Sequence, residues 1–167
     1  IEPSMAFGTG HHPTTKMCIT LIKEVIKEGF RVLDLGCGSG ILGITALKFG
    51  AKNCLSIDIE DESVKATLKN SVDSKVLGIE SQKQDLINSL DIEIKPDIII
   101  ANLNSYLFKG GIKNIIKCMK PDTKLIASGI LIENYQELKN IFMENNLFEI
   151  KKIESGDWSA ILLGNNA

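Results

Sequence analysis

Arg31-Val32-Leu33-Asp34-Leu35-Gly36-Cys37-Gly38-Ser39-Gly40, running on into Ile41-Leu42-Gly43-Ile44-Thr45-Ala46-Leu47-Lys48-Phe49, decides the fold. The short apolar run from Arg31 to Leu35 reads as a strand, and the glycines at 36, 38 and 40 break it. Residues Ile41 to Phe49 are apolar around most of a helical circumference, the mark of a buried helix. Strand, glycine loop and helix form the opening unit of an α/β sheet.

Downstream the unit repeats. Cys54 to Asp58 reads as a strand, and a helix from about Glu60 to Val72 carries Val64, Leu68 and Val72. A weaker strand follows around Val76 to Gln84, then a strand from Asp97 to Asn102 and a helix with Phe108, Ile112, Ile115, Ile116 and Met119 on one face. Lys124 to Ser128 is another strand, and Tyr135, Leu138, Ile141 and Phe142 stripe another helix. Upstream, Cys18, Leu21, Ile22 and Val25 mark a helix from Thr14 to Lys27 that Gly29 ends. Five strands alternating with helices predict a parallel sheet covered on both faces. Phe148 to Ile153 and Trp158 to Gly164 lack a helix between them and predict an antiparallel hairpin at one sheet edge.

The chain has 167 residues, room for one domain that buries roughly 70% of the surface its unfolded form exposes. A net charge of −2, with Arg31 as the only arginine, provides no basic field for nucleic acid and few planar forks for phosphates. No apolar run approaches the ~18 residues of a membrane span, and the opening residues lack a basic-then-apolar signal pattern. A cytoplasmic protein with no membrane partner is expected. Cys18, Cys37, Cys54 and Cys118 show no CxxC pairing, so reduced thiols are expected in place of bridges or metal ligands.

In an open α/β sheet ligands sit beyond the carboxyl ends of the strands, where Gly36-Cys37-Gly38-Ser39-Gly40 would lie. Glycines there admit a ligand close to the backbone, and the helix that follows offers its positive end. Asp58 closes the next strand 22 residues beyond Gly36, where a carboxylate can accept both hydroxyls of a ribose. The pair points to an adenosine-containing cofactor. A dinucleotide fingerprint wants glycine or alanine where Ile41 stands, and Asp34, two residues before Gly36, would repel a pyrophosphate. The same acid can pair, directly or through water, with the ammonium of a methionine moiety. S-adenosylmethionine is therefore favoured over NAD.

Gly36 to Gly40 after Val32-Leu33-Asp34 resembles the first motif of class I methyltransferases, and Ser56-Ile57-Asp58-Ile59 resembles their ribose-binding strand end. More narrowly, Ala6-Phe7-Gly8-Thr9-Gly10-His11-His12-Pro13-Thr14-Thr15, Gly38-Ser39-Gly40-Ile41-Leu42, Ala101-Asn102-Leu103 and Ser128-Gly129-Ile130-Leu131 resemble the PrmA family. Members of that family are lysine methyltransferases of large-ribosomal-subunit protein eleven.

The resemblance implies a Rossmann-like class I fold: a seven-stranded, mostly parallel sheet with helices on both faces and a seventh strand inserted antiparallel between two others. It implies S-adenosylmethionine as cofactor, S-adenosylhomocysteine as product, a ribosomal protein as partner, and lysine amines, with N-terminal amines as a further class, as substrate. Residues 1–15 would fold over the cofactor as a lid, with Thr15 touching it and Phe7 and Thr9 nearby. Asp34, Gly36, Gly38, Asp58 and Ile59 would line the rest of the cofactor site, with Asp85 near the adenine amino group.

Asn102 would touch the cofactor and, as the catalytic residue, orient the amine; the other role open to it is N-cap of the helix that follows. It precedes Leu103-Asn104-Ser105 in place of the two prolines common in the class, which suits an aliphatic amine better than adenine or glutamine. His11 and His12 are expected to pack or hydrogen-bond in the lid, and Trp158 to pack in the core. Relatives carry an N-terminal substrate-recognition domain ahead of the segment where Ile1 stands, so a single catalytic domain without that partner is expected. A class I methyltransferase acting on another protein or on a small molecule is the alternative.

Overall fold

The computed structural model describes residues 10–165. Helix α1 (Pro13–Val25) leads into β1 (Arg31–Leu35), α2 (Ile41–Lys48), β2 (Asn53–Asp58), α3 (Asp61–Asp73), β3 (Ile79–Lys83), β4 (Ile98–Asn102), α4 (Ser105–Cys118) and β5 (Lys124–Leu131). A 3-10 turn, α5 (Tyr135–Glu144), β6 (Leu147–Ser155) and β7 (Trp158–Asn165) complete the order. No described helix is long and apolar enough to cross a membrane.

The strands form one sheet in the order β3-β2-β1-β4-β5-β7-β6. The pairs from β3 across to β5 are parallel, and β7 runs antiparallel to both β5 and β6. The seven-stranded sheet and the insertion of the last strand are as expected, and β6 takes the outer edge. The order reverses between β1 and β4, so the loops leaving these two strands part to opposite faces and open a crevice at their carboxyl ends.

Strand alternation divides the core. Val32, Cys54, Ile98, Ile100, Ile126 and Leu162 pack under α1 and α2. Leu33, Leu35, Ile99, Ala101, Leu125 and Ile161 pack under α4 and α5, where Phe108 and Phe142 meet edge to face with ring centroids 5.6 Å apart. Sheet residues buried on both faces explain why the strands read as near-continuous apolar runs. The four cysteines are free thiols, all buried.

Helix α3 corrects an expectation. It spans nearly the predicted residues, but Leu68 and Val72 are 42% and 74% exposed, and Ser63, Thr67, Asn70 and Ser71 face inward. The reason lies opposite it. That side of the helix meets backbone carbonyls of the glycine loop, which require hydrogen-bond donors where methyl groups would strand them. Strand β5 also runs three residues beyond its predicted end at Ser128, because Gly129 lets the chain continue through an irregularity in its pairing with β7.

Candidate functional site

The parallel register brings the ends of four strands together, with Leu35 beside Ile57 and Ala101, and Asn102 beside Ser128. A cleft of about 610 Å³ opens there, bordered by Gly36, Gly38 and Asp58 on one side and by Asn102, Leu103 and Trp158 on the other. It shares Gly36, Asp58 and Leu103 with a smaller, mostly apolar hollow of about 190 Å³ that reaches Ile59, Asp85 and Leu86. A separate hollow of about 410 Å³ against β2 and β3 carries Glu80, Asp91 and Glu93, and no residue of the glycine loop borders it.

On the first wall the loop is tied to β2. The N–H groups of Gly36 and Cys37 both donate to the Ile57 carbonyl, at 2.8 and 3.0 Å. Gly38 N donates to Asp58 Oδ2 at 2.9 Å, and Glu60 N donates to Asp58 Oδ1 at 3.0 Å. Two backbone donors thus hold the Asp58 carboxylate flat against the loop, and each oxygen keeps a lone pair for the cleft. Gly36 has φ +69°, a conformation that favours glycine, and the end of the Leu103 side chain fills the place a Cβ would take, with Cδ2 2.5 Å from it.

Asp34 stands beneath this wall, off the cleft surface. It is 1% exposed, and Gly43 N of α2 donates to its Oδ2 at 3.0 Å. Burial pushes its carboxyl up to about 7, against the Gly43 hydrogen bond that favours the anion and with help from the nearby Asp58 charge. Because the folded pKa lies above the unfolded one, the native state binds the extra proton between about pH 4 and pH 7. The stability this contributes is complete below that window and is lost as pH rises through it. The urea midpoint is accordingly expected to fall between pH 5 and pH 8, by the equivalent of a few kcal/mol, and to lose most of that slope in Asp34→Asn. Parallel slopes in the two proteins would place the titrating group elsewhere.

On the second wall, the Asn102 side chain lies across the strand end from α1. Its Nδ2 donates to Thr14 Oγ1 at 3.3 Å, and Thr14 Oγ1 lies 2.7 Å from Nδ1 of His12. His12 is the N-cap of α1, its Nδ1 accepting from Thr14 N at 3.3 Å, so Nδ1 is the unprotonated nitrogen and the Thr14 hydroxyl donates to it. The His12 ring meets Trp158 edge to face, with centroids 5.1 Å apart. The chain Asn102, Thr14, His12 fixes the amide so that its oxygen is the group left for the cleft. Ser128 Oγ, donating to the Thr14 carbonyl at 3.4 Å, fastens the same turn to β5.

One alternative closes here. The N-cap of α4 is Asn104, whose side chain accepts from Leu107 N at 3.0 Å, so Asn102 has no capping duty. Trp158 packs against α1 and also borders the cleft. Asp85 is half-buried at the edge of the smaller hollow, and Asn88 Nδ2, Asn88 N and Ile87 N all donate to its carboxylate, holding it below the usual carboxylate range. Phe7 and Thr9 lie outside the described residues.

Thr15, in the first turn of α1, is 1% exposed, and its Oγ1 is a buried polar atom with no hydrogen-bond partner among the described residues. His12 packs and hydrogen-bonds as expected; Thr14 and Gly129 are the residues sequence reasoning missed, and the doubled threonine at 14 and 15 is the available signal, since two adjacent hydroxyls at a helix start serve different neighbours. Among the described residues no group of three or more His, Cys, Asp or Glu could hold a metal ion.

The model of the family described as "Ribosomal protein L11 methyltransferase (PrmA)" matches residues 1–166. A protein of that name from Dictyoglomus turgidum is 38% identical over 165 residues, covering 99% of this chain and 54% of its own length. Another, from Caldicellulosiruptor saccharolyticus, is 39% identical over 157 residues, covering 93% and 51%. The chain spans about half the length of the curated relatives it matches. Among solved structures, a ribosomal protein L11 methylase from Lactobacillus delbrueckii subsp. bulgaricus superposes with a TM-score of 0.92 at 30% identity, covering all of this chain and 84% of its own. A precorrin-6y C5,15-methyltransferase from Geobacter metallireducens shares the fold at a TM-score of 0.79 and 11% identity. With its glycine loop, acidic β2 end and β4 asparagine gathered on one crevice of the class I methyltransferase sheet, this chain belongs to the PrmA family.

Proposed function

We propose that this chain is the catalytic unit of an S-adenosylmethionine-dependent methyltransferase that modifies lysine amines of a ribosomal protein. The observation that carries this reading is the pair of facing walls. A carboxylate held by two backbone N–H groups stands on one, and on the other stands an amide whose nitrogen is already engaged. The names of the relatives support the ribosomal substrate.

The residues present fit the cofactor. Asp58 offers acceptors for the ribose hydroxyls, Gly36 and Gly38 admit close approach, and Ile59 borders an apolar hollow of adenine character. The buried Thr15 hydroxyl lacks a partner that a bound ligand would supply. Phe7 and Thr9 are further proposed contacts, and Asp34 acts from below the loop through the start of α2, which it holds at Gly43 N. When bound, S-adenosylmethionine supplies a methyl carbon made electrophilic by its sulfonium.

The chain's own task is then to prepare the amine. A lysine with an ordinary pKa of about 10.4 is almost wholly protonated at neutral pH, and only the neutral form has a lone pair to attack with. Leu103, Leu107 and Trp158 make that side of the cleft largely apolar, which disfavours the ammonium. Asn102 Oδ1 accepts from an amine N–H and aims the lone pair, and the released proton leaves to solvent. The described site offers alignment and desolvation.

Thr15→Val provides the test. Removing an unpaired buried hydroxyl is expected to leave the unfolding midpoint of the ligand-free protein equal or higher, while S-adenosylhomocysteine binding weakens about tenfold. Calorimetric titration and a thermal melt read the two effects. Wild-type protein with no affinity for S-adenosylhomocysteine overturns the reading, as does labelled cofactor that transfers no methyl group to the purified ribosomal protein.

A further inference from the structure

Thr67 and Asn70, on the inward face of α3, do not line the cleft, yet both side chains end on the glycine loop that forms its first wall. Thr67 Oγ1 donates to the Gly38 carbonyl at 3.2 Å and lies 3.3 Å from Cys37 Sγ. Asn70 Nδ2 donates to the Ser39 carbonyl at 2.9 Å. Both residues are buried, at 0% and 3% exposure. Contact is close enough to dictate the loop's sequence: a Cβ on Gly40, which has φ +79°, would lie 2.8 Å from Thr67 Cγ2 and 3.0 Å from its Cα.

A trans peptide points its N–H opposite to its carbonyl. Drawing the Gly38 and Ser39 carbonyls out to α3 therefore turns the N–H groups of Ser39 and Gly40 away from that helix. On the other side, Gly36, Cys37 and Gly38 donate to β2, at Ile57 and Asp58, so the loop is held from two directions. A loop this rich in glycine has more conformational freedom to lose than any other, and an unheld one would lose it each time a ligand bound.

We propose that Thr67 and Asn70 are positioning residues that hold the glycine loop, before any ligand arrives, in the shape that receives the cofactor. The proposal rests on the cofactor reading above. It also accounts for the orientation of α3, because a helix that supplies donors to loop carbonyls must present Thr67 and Asn70 inward, and this leaves Leu68 and Val72 outside.

Thr67→Val keeps the shape and removes the donor, while Thr67→Ser restores it. Expected by calorimetry is an S-adenosylhomocysteine dissociation constant raised about tenfold in Thr67→Val and within about threefold of wild type in Thr67→Ser. Turnover at saturating cofactor should be little changed, since a held loop acts on binding. Val72→Ala, on the outer side of the same helix, should match wild type in both.

Amide exchange without ligand reads the holding directly. Residues 36–40 of the wild type should be protected well beyond the exposed turn at Gly156, and Thr67→Val should quicken them while the β4–β5 amides keep their rates. Wild-type loop amides as labile as the Gly156 turn would overturn the proposal whether or not any variant folds. So would a Thr67→Val protein that binds as well as wild type, or one in which all amides quicken together. A wild type that ignores S-adenosylhomocysteine overturns the cofactor reading and this proposal with it, an outcome distinct from equal binding by wild type and Thr67→Val.

Discussion

Asn102→Ala is expected to lower methyl transfer about a hundredfold, the scale of a lost alignment at a reacting atom, while changing S-adenosylhomocysteine affinity by no more than a few-fold. The asymmetry follows from the site. The Asn102 amide nitrogen is tied to Thr14, which is tied to His12, so its oxygen is the group left for the cleft, where the proposed amine would arrive. The proposed cofactor contacts on the far wall, at Gly36, Gly38 and Asp58, do not pass through it. Single-turnover rates and calorimetry on one preparation separate the effects. Equal losses in rate and affinity would reduce Asn102 to a cofactor contact.

The second large effect is on stability. Gly129 has φ +80°, and a Cβ there would lie 2.5 Å from the Leu103 carbonyl oxygen and 2.9 Å from its carbon, with no side chain able to yield. The collision falls where Leu103 N donates to the Ser128 carbonyl at 2.9 Å, closing the β4 and β5 exits over the cleft. Gly129→Ala is therefore expected to cost about 3 kcal/mol or more, a fall of roughly 6–12 °C in Tm. Gly156→Ala isolates the conformational part, since Gly156 has φ +59° at the hairpin turn and nothing within 4 Å of its Cβ position. It should lose only about 1 kcal/mol. Equal shifts in the two melts would mean that the Leu103 segment moves aside at no cost.

Much of this architecture is written in local pattern. β1 and α2 were legible because a strand buried on both faces and a helix buried around its circumference each leave an unbroken apolar run. Asp58 and Asn102 were legible because a parallel sheet delivers every strand end to one side. What was not legible depends on partners remote in sequence. The inward face of α3 is chosen by loop carbonyls some thirty residues away, which outrank three aliphatic side chains at helical spacing. Thr14 and Asn102 are 88 positions apart, and nothing local marks either as the other's partner. Capping passed from Asn102 to Asn104 for a short-range reason, since the turn of α4 begins at Ser105 and its N-cap must immediately precede it. The resemblance identified the fold and family ahead of the geometry, and the geometry added the hydrogen bonds through which the site is held.

The placement of β7 has a further consequence, in the order of assembly during synthesis. β6 joins the sheet only through β7, and β7 emerges from the ribosome after it. β5 therefore waits with an open edge, and β6 has no neighbour to pair with, until the residues from Trp158 onward are free. The sheet from β3 to β5 can form before that point, whereas this part cannot. The nascent chain thus passes through a stage with an unpaired, apolar strand edge, the feature chaperones recognise and aggregation exploits. The pairing of β7 with β5 also seats Trp158 on the cleft, so binding competence should follow that step and not precede it.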